Sequence, residues 1–338
     1  MATLASTVLT LADWAKRLDP DGKTASIVEL LSRTSGVLDN MLFKEGNLPT
    51  GEQTTIRTGL PTVYYRLMNQ GVPKSKSTTA QIVENAAMLE ARSEVDKAEA
   101  ELNGNVAAYR LSEAQAFTEA MTQQMETTMF YGTAANPEEF VGLTPRYSST
   151  AAGNGGNILL AGGSGADNAS IWLVGWGANT VFGVFPKGSS AGLSHEDLGV
   201  GDAFDSNNDR FRAYMDHWVW KNGLVVKDWR YACRIANIDI SELESLTGAQ
   251  ELTDSTLIVK LMSRAIDRLP SLNGVSPSFY MNRTILSLLR VVALEKSSSA
   301  VTIEPALNQF GQTIFETRFL GIPCKVSDGL TIAETLIS

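Results

Sequence analysis

The sequence is poor in the residues that carry most protein chemistry. Its 338 residues include two cysteines, Cys233 and Cys324, and two histidines, His195 and His217. Two cysteines are too few for a disulfide framework or a structural zinc site, and neither histidine adjoins a serine or cysteine motif of the nucleophile-elbow type. His195-Glu-Asp197 does not share one face, and no second cluster completes a metal shell. The sequence therefore predicts no catalytic, metal-binding or cofactor-binding residue.

Long hydrophobic runs and an N-terminal targeting segment are also missing. The most apolar stretch, Ile171 to Phe185, is too short to span a bilayer, and glycines, Asn179 and Thr180 interrupt it. No basic region precedes an apolar run at the N-terminus. We therefore expect a soluble protein that is made in a reducing compartment and has no contact with a membrane.

Positive charge is in deficit. The chain has 28 Lys and Arg against 37 Asp and Glu, a formal net charge of −9. An acidic chain is a poor candidate for coating DNA, because such binding depends on clustered basic residues and released counterions. The glycine-rich segment 155–167 is not followed by the lysine that a phosphate-binding loop requires, so it is interpreted as a turn. The 43% hydrophobic share can build a large core, which excludes wholesale disorder.

Residues 46–79 form the first distinctive segment. Turn-forming residues recur about every ten positions around the β-prone Thr62–Leu67, which predicts a long two-stranded excursion. Loops of this length in compact proteins are usually functional or bind a partner. The preceding residues, 1–45, are predicted to be irregular with two short helical patches and to lie along another surface.

The excursion is basic, and the segment after it is acidic. Four cations oppose one acid in residues 46–79, a net charge of +3; the cations are Arg57, Arg66, Lys74 and Lys76. Six acids oppose two cations in residues 84–101, a net charge of −4; the acids are Glu84, Glu90, Glu94, Asp96, Glu99 and Glu101. Two interpretations remain open: two solvated faces of one subunit, or a basic arm that docks on the acidic surface of a neighbouring copy.

The clearest helix is predicted over residues 112–131. Ser112 is placed to cap it, Gly132 ends it, and apolar residues recur between them at three- and four-residue steps. The predicted core positions of this helix are Phe117, Met121, Met125 and Met129. The stripe is interpreted as core rather than as a metal or cofactor site, because no histidine or cysteine accompanies it.

The remainder is predicted to begin with a Ser- and Gly-rich linker at residues 148–157, the best candidate for a domain boundary. Beyond it the chain is β-rich and aromatic, and residues 217–231 are predicted to form a hairpin around a type I′ turn at Asn222-Gly223. Residues 81–95 are ambiguous between strand and helix, with strand favoured for the first half.

The last third is predicted to hold two helices and two strands. The helices are placed at residues 255–269 and 277–295. The strands alternate over residues 313–326 around Gly321.

Five groups of local strings add to this order of segments. They are Leu89-Glu-Ala-Arg-Ser-Glu-Val95; Glu101-Leu-Asn-Gly-Asn105; Phe130-Tyr-Gly132 with Asn136-Pro-Glu-Glu-Phe-Val-Gly-Leu143; Val184-Phe-Pro-Lys-Gly188; and Gly223-Leu-Val-Val-Lys-Asp228 with Arg234-Ile-Ala-Asn237. An N-terminal arm, a long β excursion, a long amphipathic helix and a larger α/β portion, taken with these strings, resemble the HK97-type major capsid proteins of tailed bacteriophages, in particular the podovirus-type branch.

The resemblance implies an α+β, HK97-like capsid fold. Its implied parts are an N-terminal arm at residues 1–45, an extended E-loop hairpin at 46–79, a peripheral domain at 80–147 with the spine helix at 112–131, a mainly axial α/β domain at 148–312, and C-terminal strands at 313–338 that return to the peripheral domain. The Trp-rich hairpins of residues 171–231 are left unassigned between the two domains.

The resemblance also implies a non-enzymatic major capsid protein of the virion, assembled in the cytoplasm of a host bacterium. Such proteins self-assemble as hexamers and pentamers into an icosahedral shell around double-stranded DNA. Implied partners are a portal protein, a decoration or cement protein, and a separate scaffolding protein, because only about 45 residues precede the E-loop. Covalent crosslinking through Lys74 or Lys76 is not expected, because no distinctive partner is readable.

Two alternatives remain open. The first keeps the fold and makes the chain an encapsulin-like shell protein of a bacterial compartment. The second is a soluble α/β enzyme with a hidden site, which would have one deep pocket lined by convergent polar groups.

Overall fold

The computed structural model describes residues 35–102, 105–205, 207–244, 249–294, 301–307 and 313–338. The described residues divide into two compact units: the first comprises residues 89–125 and 192–220, and the second comprises residues 35–88, 126–191 and those from 221 onward. The two helical patches predicted within residues 1–45 lie outside the described residues.

The second unit is built on a sheet whose central strand is buried along its whole length. This strand, β6 (Asn168–Trp176), pairs antiparallel with β10 (Ala232–Asp239) and with β11 (Ser276–Met281). Strands covered on both faces are rich in apolar residues rather than alternating. The other strands of this unit are β1 (Phe43–Glu45), parallel to β7 (Val181–Phe185); β5 (Ile158–Leu160), parallel to β10; β14 (Ile322–Val326), parallel to β11; β13 (Thr313–Phe319), antiparallel to β14; and β12 (Val301–Leu307), antiparallel to β13.

Helices pack against this sheet. They are α4 (Ile240–Glu244), α5 (Ala249–Arg268) and α6 (Arg283–Leu294). The shared core includes Leu173 and Phe279 from the sheet, Met262 from α5 and Leu289 from α6. A short helix, α3 (Leu143–Arg146), belongs to the same unit.

The predicted helix at residues 277–295 is wrong in its first third. Phe279, Tyr280 and Met281 form the buried end of β11, and α6 begins only at Arg283. A short apolar run is compatible with a buried strand and with a helix, and the pairing with β6 decides between them. The strands predicted around Gly321 are observed as β13 and β14.

A two-stranded hairpin extends from the second unit. Its strands are β2 (Gly51–Gly59) and β3 (Thr78–Asn85), which pair antiparallel from Gly51 opposite Asn85 to Gly59 opposite Thr78. Residues 60–77 join them without helix or strand. The β-prone Thr62–Leu67 therefore lies in this loop and not in a strand.

The first unit combines a three-stranded sheet with a long helix. The strand order is β8 (Leu193–Phe204), β9 (Arg210–Val226) and β4 (Ala87–Asp96), and β8 pairs antiparallel with β9. The helices are α1 (Lys97–Glu101) and α2 (Val106–Tyr131), of which residues up to Met125 belong to this unit.

Helix α2 is longer at its start than the sequence predicted. It begins at Val106 rather than at Ser112, and its 26 residues span about 39 Å at 1.5 Å per residue. The predicted cap at Ser112 is wrong, because the side-chain oxygen of Asn105 accepts a hydrogen bond from the amide of Ala108 at 3.2 Å. None of the described helices is long and apolar enough to cross a membrane.

The predicted hairpin at residues 217–231 is also wrong. Asn222-Gly223 makes no turn, because β9 runs through it, and Gly223 pairs with Val184 of β7. A Cβ atom on Gly223 would lie 3.0 Å from the Cα of Ala86 and from the carbonyl oxygen of Asn85. The glycine is therefore required by close approach of the backbone rather than by a positive φ.

Candidate functional site

The loop of residues 60–77 is exposed almost throughout. Its most exposed apolar side chains are Leu60 (81%), Val63 (85%), Tyr65 (109%), Leu67 (70%) and Met68 (92%). Monomeric proteins rarely leave so many neighbouring apolar side chains in water, and such patches usually mark interaction surfaces. The loop therefore has the composition of a contact element.

The same loop is cationic. Arg66, Lys74 and Lys76 are exposed, and the sequence from Leu60 to Ser77 contains no acid. Arg57, on β2, is exposed as well. Within the part of the chain that the structure describes, none of these four predicted contact residues forms an ion pair. Their charges are therefore available to a partner.

Two ion pairs hold the base of the hairpin. Glu84, at the end of β3, accepts two hydrogen bonds from the guanidinium of Arg146, at 2.5 and 2.7 Å. Glu52, near the start of β2, lies 2.9 Å from the ammonium of Lys227. Although burial opposes it, this contact and the amide of Asn47 hold the pKa of Glu52 below its ordinary value. The hairpin is thus fixed at its base and exposed at its loop.

The close fit of the hairpin base requires a glycine at position 51. Gly51 has a φ of 148°, and a Cβ atom there would lie 2.0 Å from the carbonyl oxygen of Glu84. A larger residue would push β2 away from β3.

The six predicted acidic docking residues do not form one surface. Glu84 was predicted to be a docking residue, and this prediction is wrong because Glu84 is buried in its pair with Arg146 and is not accessible to a neighbouring copy. Intramolecular contacts engage three more, because Asp96 caps α1, Glu99 accepts from the hydroxyl of Tyr109 at 2.6 Å, and Glu101 lies 3.6 Å from Lys97. The remaining two are exposed on β4: Glu90 lies 3.4 Å from the ring of His217, and Glu94 follows it by four positions.

The apolar side chains along α2 are buried to different degrees. Met121, Met125 and Met129 are buried, with at most 3% of each side chain exposed. Phe117, one turn earlier, is half-buried and stacks on Trp218 with ring centroids 5.0 Å apart. The flexible thioether side chains fill the more enclosed positions.

A charged cluster that the sequence did not predict lies on the helix-facing side of the first unit's sheet. The guanidinium of Arg110 contacts Asp216 at 2.7 Å and Asp197 at 2.8 Å, and His195 lies 2.9 Å from Asp216. The hydrogen bond from Arg110 lowers the pKa of Asp197. His195 also stacks on Trp218 at 5.1 Å. Arg110 belongs to α2, His195 and Asp197 belong to β8, and Asp216 belongs to β9. Because Arg110 and Asp216 are 106 positions apart in the chain, no local sequence pattern could have indicated the cluster.

A second unpredicted cluster holds the end of the chain in the second unit. The buried guanidinium of Arg234 donates to Glu334 at 2.8 Å, to the hydroxyl of Ser170 at 3.0 Å and to the carbonyl oxygen of Tyr147 at 2.8 Å. Ser170 and Glu334 are also hydrogen-bonded to each other. Charge-assisted bonds of this kind are the strong ones, and here they connect β6 and β10 to the C-terminal segment.

Net charge is distributed very unevenly along the chain. Residues 89–125 and 192–220 hold thirteen Asp and Glu against five Lys and Arg, a net charge of −8 out of −9 for the whole chain. The first unit is therefore strongly acidic, whereas the rest of the chain is nearly neutral and includes the cationic loop 60–77.

The described residues offer little for catalysis. No group of three or more His, Cys, Asp or Glu within them could hold a metal ion. Cys233 and Cys324 are free and buried, and burial raises the pKa of each thiol to about 12, which suppresses the reactive thiolate. The absence of an enzymatic site in the whole chain stays a prediction.

Comparison with known proteins shows which solved structures this chain resembles. A chain in the structure of bacteriophage Epsilon15 is 30% identical, superposes with a TM-score of 0.73, and the match covers 97% of both chains. Chains of the bacteriophage JBD30 capsid (8% identity, TM-score 0.47, 89% of this chain and 93% of that chain) and of the capsid of a native GTA particle (9% identity, TM-score 0.45, 69% of this chain and 99% of that chain) are more distant. The curated proteins contain no match.

An α+β fold with a long helix and a hairpin anchored at its base is typical of the HK97-like capsid subunits of tailed phages. The likeness to the Epsilon15 chain supports this class. The sequence profile of the family described as Major capsid protein GP7 matches residues 19–338. The chain belongs to this family of major capsid proteins, whose members form the shell of the virion. This is a structural class and not a class of enzymes, and neither the encapsulin-like nor the enzymatic alternative is favoured.

Proposed function

We propose that this shell protein assembles as hexamers and pentamers into an icosahedral shell around double-stranded DNA, and that loop 60–77 is the arm through which each copy contacts its neighbour. The observation that carries the proposal is the contrast within one hairpin. Its base is anchored by Glu84–Arg146 and Glu52–Lys227, whereas its loop exposes apolar side chains and cations that form no ion pair with any residue that the structure describes.

The physical reason lies in how a closed shell gains stability. A heterologous contact, in which one patch meets a different patch on the next copy, closes into rings when the rotation permits. Each contact can then be weak, because a copy held by several neighbours dissociates only when all contacts open together. An apolar loop with three cations can bury apolar surface at the contact, and its charges can fix the orientation of the neighbouring copy.

The acidic composition of the chain supports the proposed relation to DNA. A shell wall that bound phosphates tightly would oppose both filling and release, and a net charge of −9 disfavours such binding. We therefore propose non-specific contact with packaged DNA, no catalytic role and no cofactor. A strongly basic lumenal surface in the assembled shell would contradict the proposed relation to DNA.

The proposed partners follow from the family resemblance. They are a separate scaffolding protein, a portal protein and a decoration or cement protein. Domain roles are proposed on the same basis: residues 46–79 as the E-loop, 80–147 as the peripheral domain, and 148–312 as mainly the axial domain.

The arm is tested by reversing its charges. A variant in which Arg57, Arg66, Lys74 and Lys76 are each changed to Glu should stay folded but lose shells and capsomers, as measured by negative-stain microscopy and light scattering with and without scaffold. The matched control carries the same change in net charge on exposed cations outside the hairpin, with Lys187, Lys260, Arg264 and Arg268 each changed to Glu. Normal shells from the arm variant would contradict the proposal, as would equal losses in both variants.

A further inference from the structure

Helix α5 carries a row of cations on the side that faces away from the core. Lys260, Arg264 and Arg268 follow one another at four-residue steps, so they lie on one side of the helix, about 6 Å apart along its axis. All three residues are exposed. The buried side of the helix is formed by other positions, namely Ile258, Leu261, Met262 and Ala265.

The charges of this row are not neutralised within the subunit. Among the residues that the structure describes, none of the three cations forms an ion pair. Arg268 lies in the last turn of α5, where a cation stabilises the helix dipole, but this effect falls off within that turn and does not account for Lys260 or Arg264. The exposed Asp267 lies beside the row, so three cations against this acid leave a local net charge of +2.

A cavity of about 450 Å³ lies at the C-terminal half of the row. The residues that line it are Leu159, Arg264, Asp267 and Arg268. Beside it lies the short 3-10 turn Gly155–Asn157, in which Gly156 is exposed. A Cβ atom on Gly156 would lie 3.8 Å from Nη1 of Arg268, so the turn approaches the guanidinium and places no side chain in front of it.

This turn begins the glycine-rich segment 155–167, which lacks the following lysine of a phosphate-binding loop. The fold supplies the missing charge from elsewhere, because Arg268 of α5 reaches the turn from more than a hundred positions along the chain. The pairing of a glycine turn with cations is therefore visible only in the tertiary structure.

The chemistry of the row matches a linear chain of phosphates. A guanidinium can donate two parallel hydrogen bonds to one phosphate. From Lys260 to Arg268 the row spans about 12 Å, and a strand of duplex DNA carries one phosphate per 3.4 Å of axis, so the row faces about three or four phosphates.

An acidic protein fits the row less well than DNA does. Protein interfaces have an apolar centre from which charged residues are depleted. Apart from the half-buried Leu159, the residues that line the cavity are charged. The first unit, at a net charge of −8, repels DNA, so the row is a local point of attraction on an acidic subunit.

We propose that Lys260, Arg264 and Arg268 form a phosphate-binding site through which each copy contacts the backbone of the packaged duplex, and that α5 faces the interior of the shell. The inference rests on the proposed enclosure of double-stranded DNA and adds the place of contact. Phosphate contacts carry no base sequence, so the binding is non-specific. Three cations per copy give a weak contact that does not oppose packing or release.

The salt dependence of DNA binding tests the site. Fluorescence anisotropy measures the binding of a short labelled duplex to full-length, unassembled subunits between about 50 and 200 mM salt. The variant Arg264→Gln with Arg268→Gln removes two phosphate contacts, so the slope of log K against log salt is expected to weaken by about 1.8. The advantage of wild type over this variant then shrinks about twelvefold across that range.

The matched control removes the same charge from exposed positions elsewhere, with Lys187→Gln and Lys221→Gln, and it is expected to keep the wild-type slope. The cations of loop 60–77 are unchanged in both variants, so their own contribution to DNA binding cancels in the comparison. Circular dichroism and thermal unfolding report the folding of each variant separately.

A second variant keeps both arginines and blocks the site. Gly156→Glu places a carboxylate beside Arg268 and is expected to weaken the slope by about 0.9, the contribution of one phosphate contact. Gly153→Glu adds the same charge where a Cβ atom meets nothing within 4 Å, and it is expected to leave the slope unchanged. Neither glycine has a positive φ, so neither change strains the backbone.

Four results would overturn the proposal. The first is an unchanged slope in the arginine variant, and the second is an equal loss in its control. The third is unchanged DNA binding together with lost binding of a polyglutamate peptide, which assigns the row to an acidic protein. The fourth is an arginine variant that folds but forms no shells in negative-stain microscopy, which assigns the row to contacts between copies. If wild type itself forms no shells, the proposed function fails, and the site loses its packaged ligand with it.

Discussion

Glu126 is a buried carboxyl whose protonation is expected to control the stability of the subunit. It lies on α2 with no exposed surface, and the hydroxyl of Ser327 donates to its Oε1 at 2.6 Å. Burial raises the pKa of Glu126 to about 7 from the ordinary 4.5, and the nearby Asp328 adds to the rise against the opposing hydrogen bonds. The protonated form is therefore the one that the folded chain favours.

The sign and size of the effect follow from proton linkage. Between pH 4.5 and pH 7 the folded state holds the proton of Glu126 more tightly than the unfolded state, so stability falls as pH rises through this window and levels off above it. A pKa difference of about 2.5 corresponds to about 3 kcal/mol, at about 1.4 kcal/mol for each pH unit. The expected loss is thus a large part of the stability of an ordinary domain.

The change Glu126→Gln removes the titration and keeps an acceptor for the hydroxyl of Ser327. Urea unfolding of unassembled subunits from pH 5 to pH 9 should show that the variant is about 3 kcal/mol more stable than wild type at pH 8, and less than about 1 kcal/mol more stable at pH 5. Glu138→Gln, at an exposed carboxylate of the same unit, is the control and should leave the unfolding free energy unchanged at both pH 5 and pH 8. A gap between Glu126→Gln and wild type that is equal at pH 5 and pH 8 would refute the reasoning, because it would show that burial does not hold the proton.

Two further predictions concern the hairpin base and the start of α2. Glu84→Gln leaves the largely buried guanidinium of Arg146 without its carboxylate and should cost about 2 to 3 kcal/mol in urea unfolding; a cost below about 0.5 kcal/mol would mean that the pair does not anchor the hairpin. Asn105→Ala should lower the unfolding free energy by about 1 kcal/mol through loss of the cap, whereas Ser112→Ala, inside the helix, should change it by less than about 0.5 kcal/mol. If Ser112→Ala lowered the unfolding free energy more than Asn105→Ala does, Ser112 rather than Asn105 would be the cap.

Short-range features could be predicted because their causes are local. Helix α2 ends at Tyr131, just before Gly132 as the sequence predicted, and the turn between β13 and β14 depends on Leu320 and Gly321, both of which adopt positive φ. The family resemblance used the order of such segments, and it led to the α+β capsid class that the comparisons show.

Features that depend on a distant partner could not be predicted in this way. Asn222-Gly223 has the local signature of a turn, yet β7 and the backbone at Asn85 and Ala86 hold it in the middle of a strand. Residues 277–281 are equally compatible with helix and strand until β6 pairs with them. In both cases hydrogen bonds to a neighbouring strand outweigh a local preference that amounts to about 1 kcal/mol or less.

The sequence by itself determined the composition of the contact elements: a cationic, apolar loop that no acid interrupts, and an excess of acid elsewhere in the chain. Only the tertiary structure decided which acids remain available. It buries Glu84 against Arg146, and it brings Glu196 beside Glu90 through their shared neighbour His217. The physical reason is that charge is a property of a residue, whereas exposure and proximity are properties of a fold that joins positions far apart in the chain.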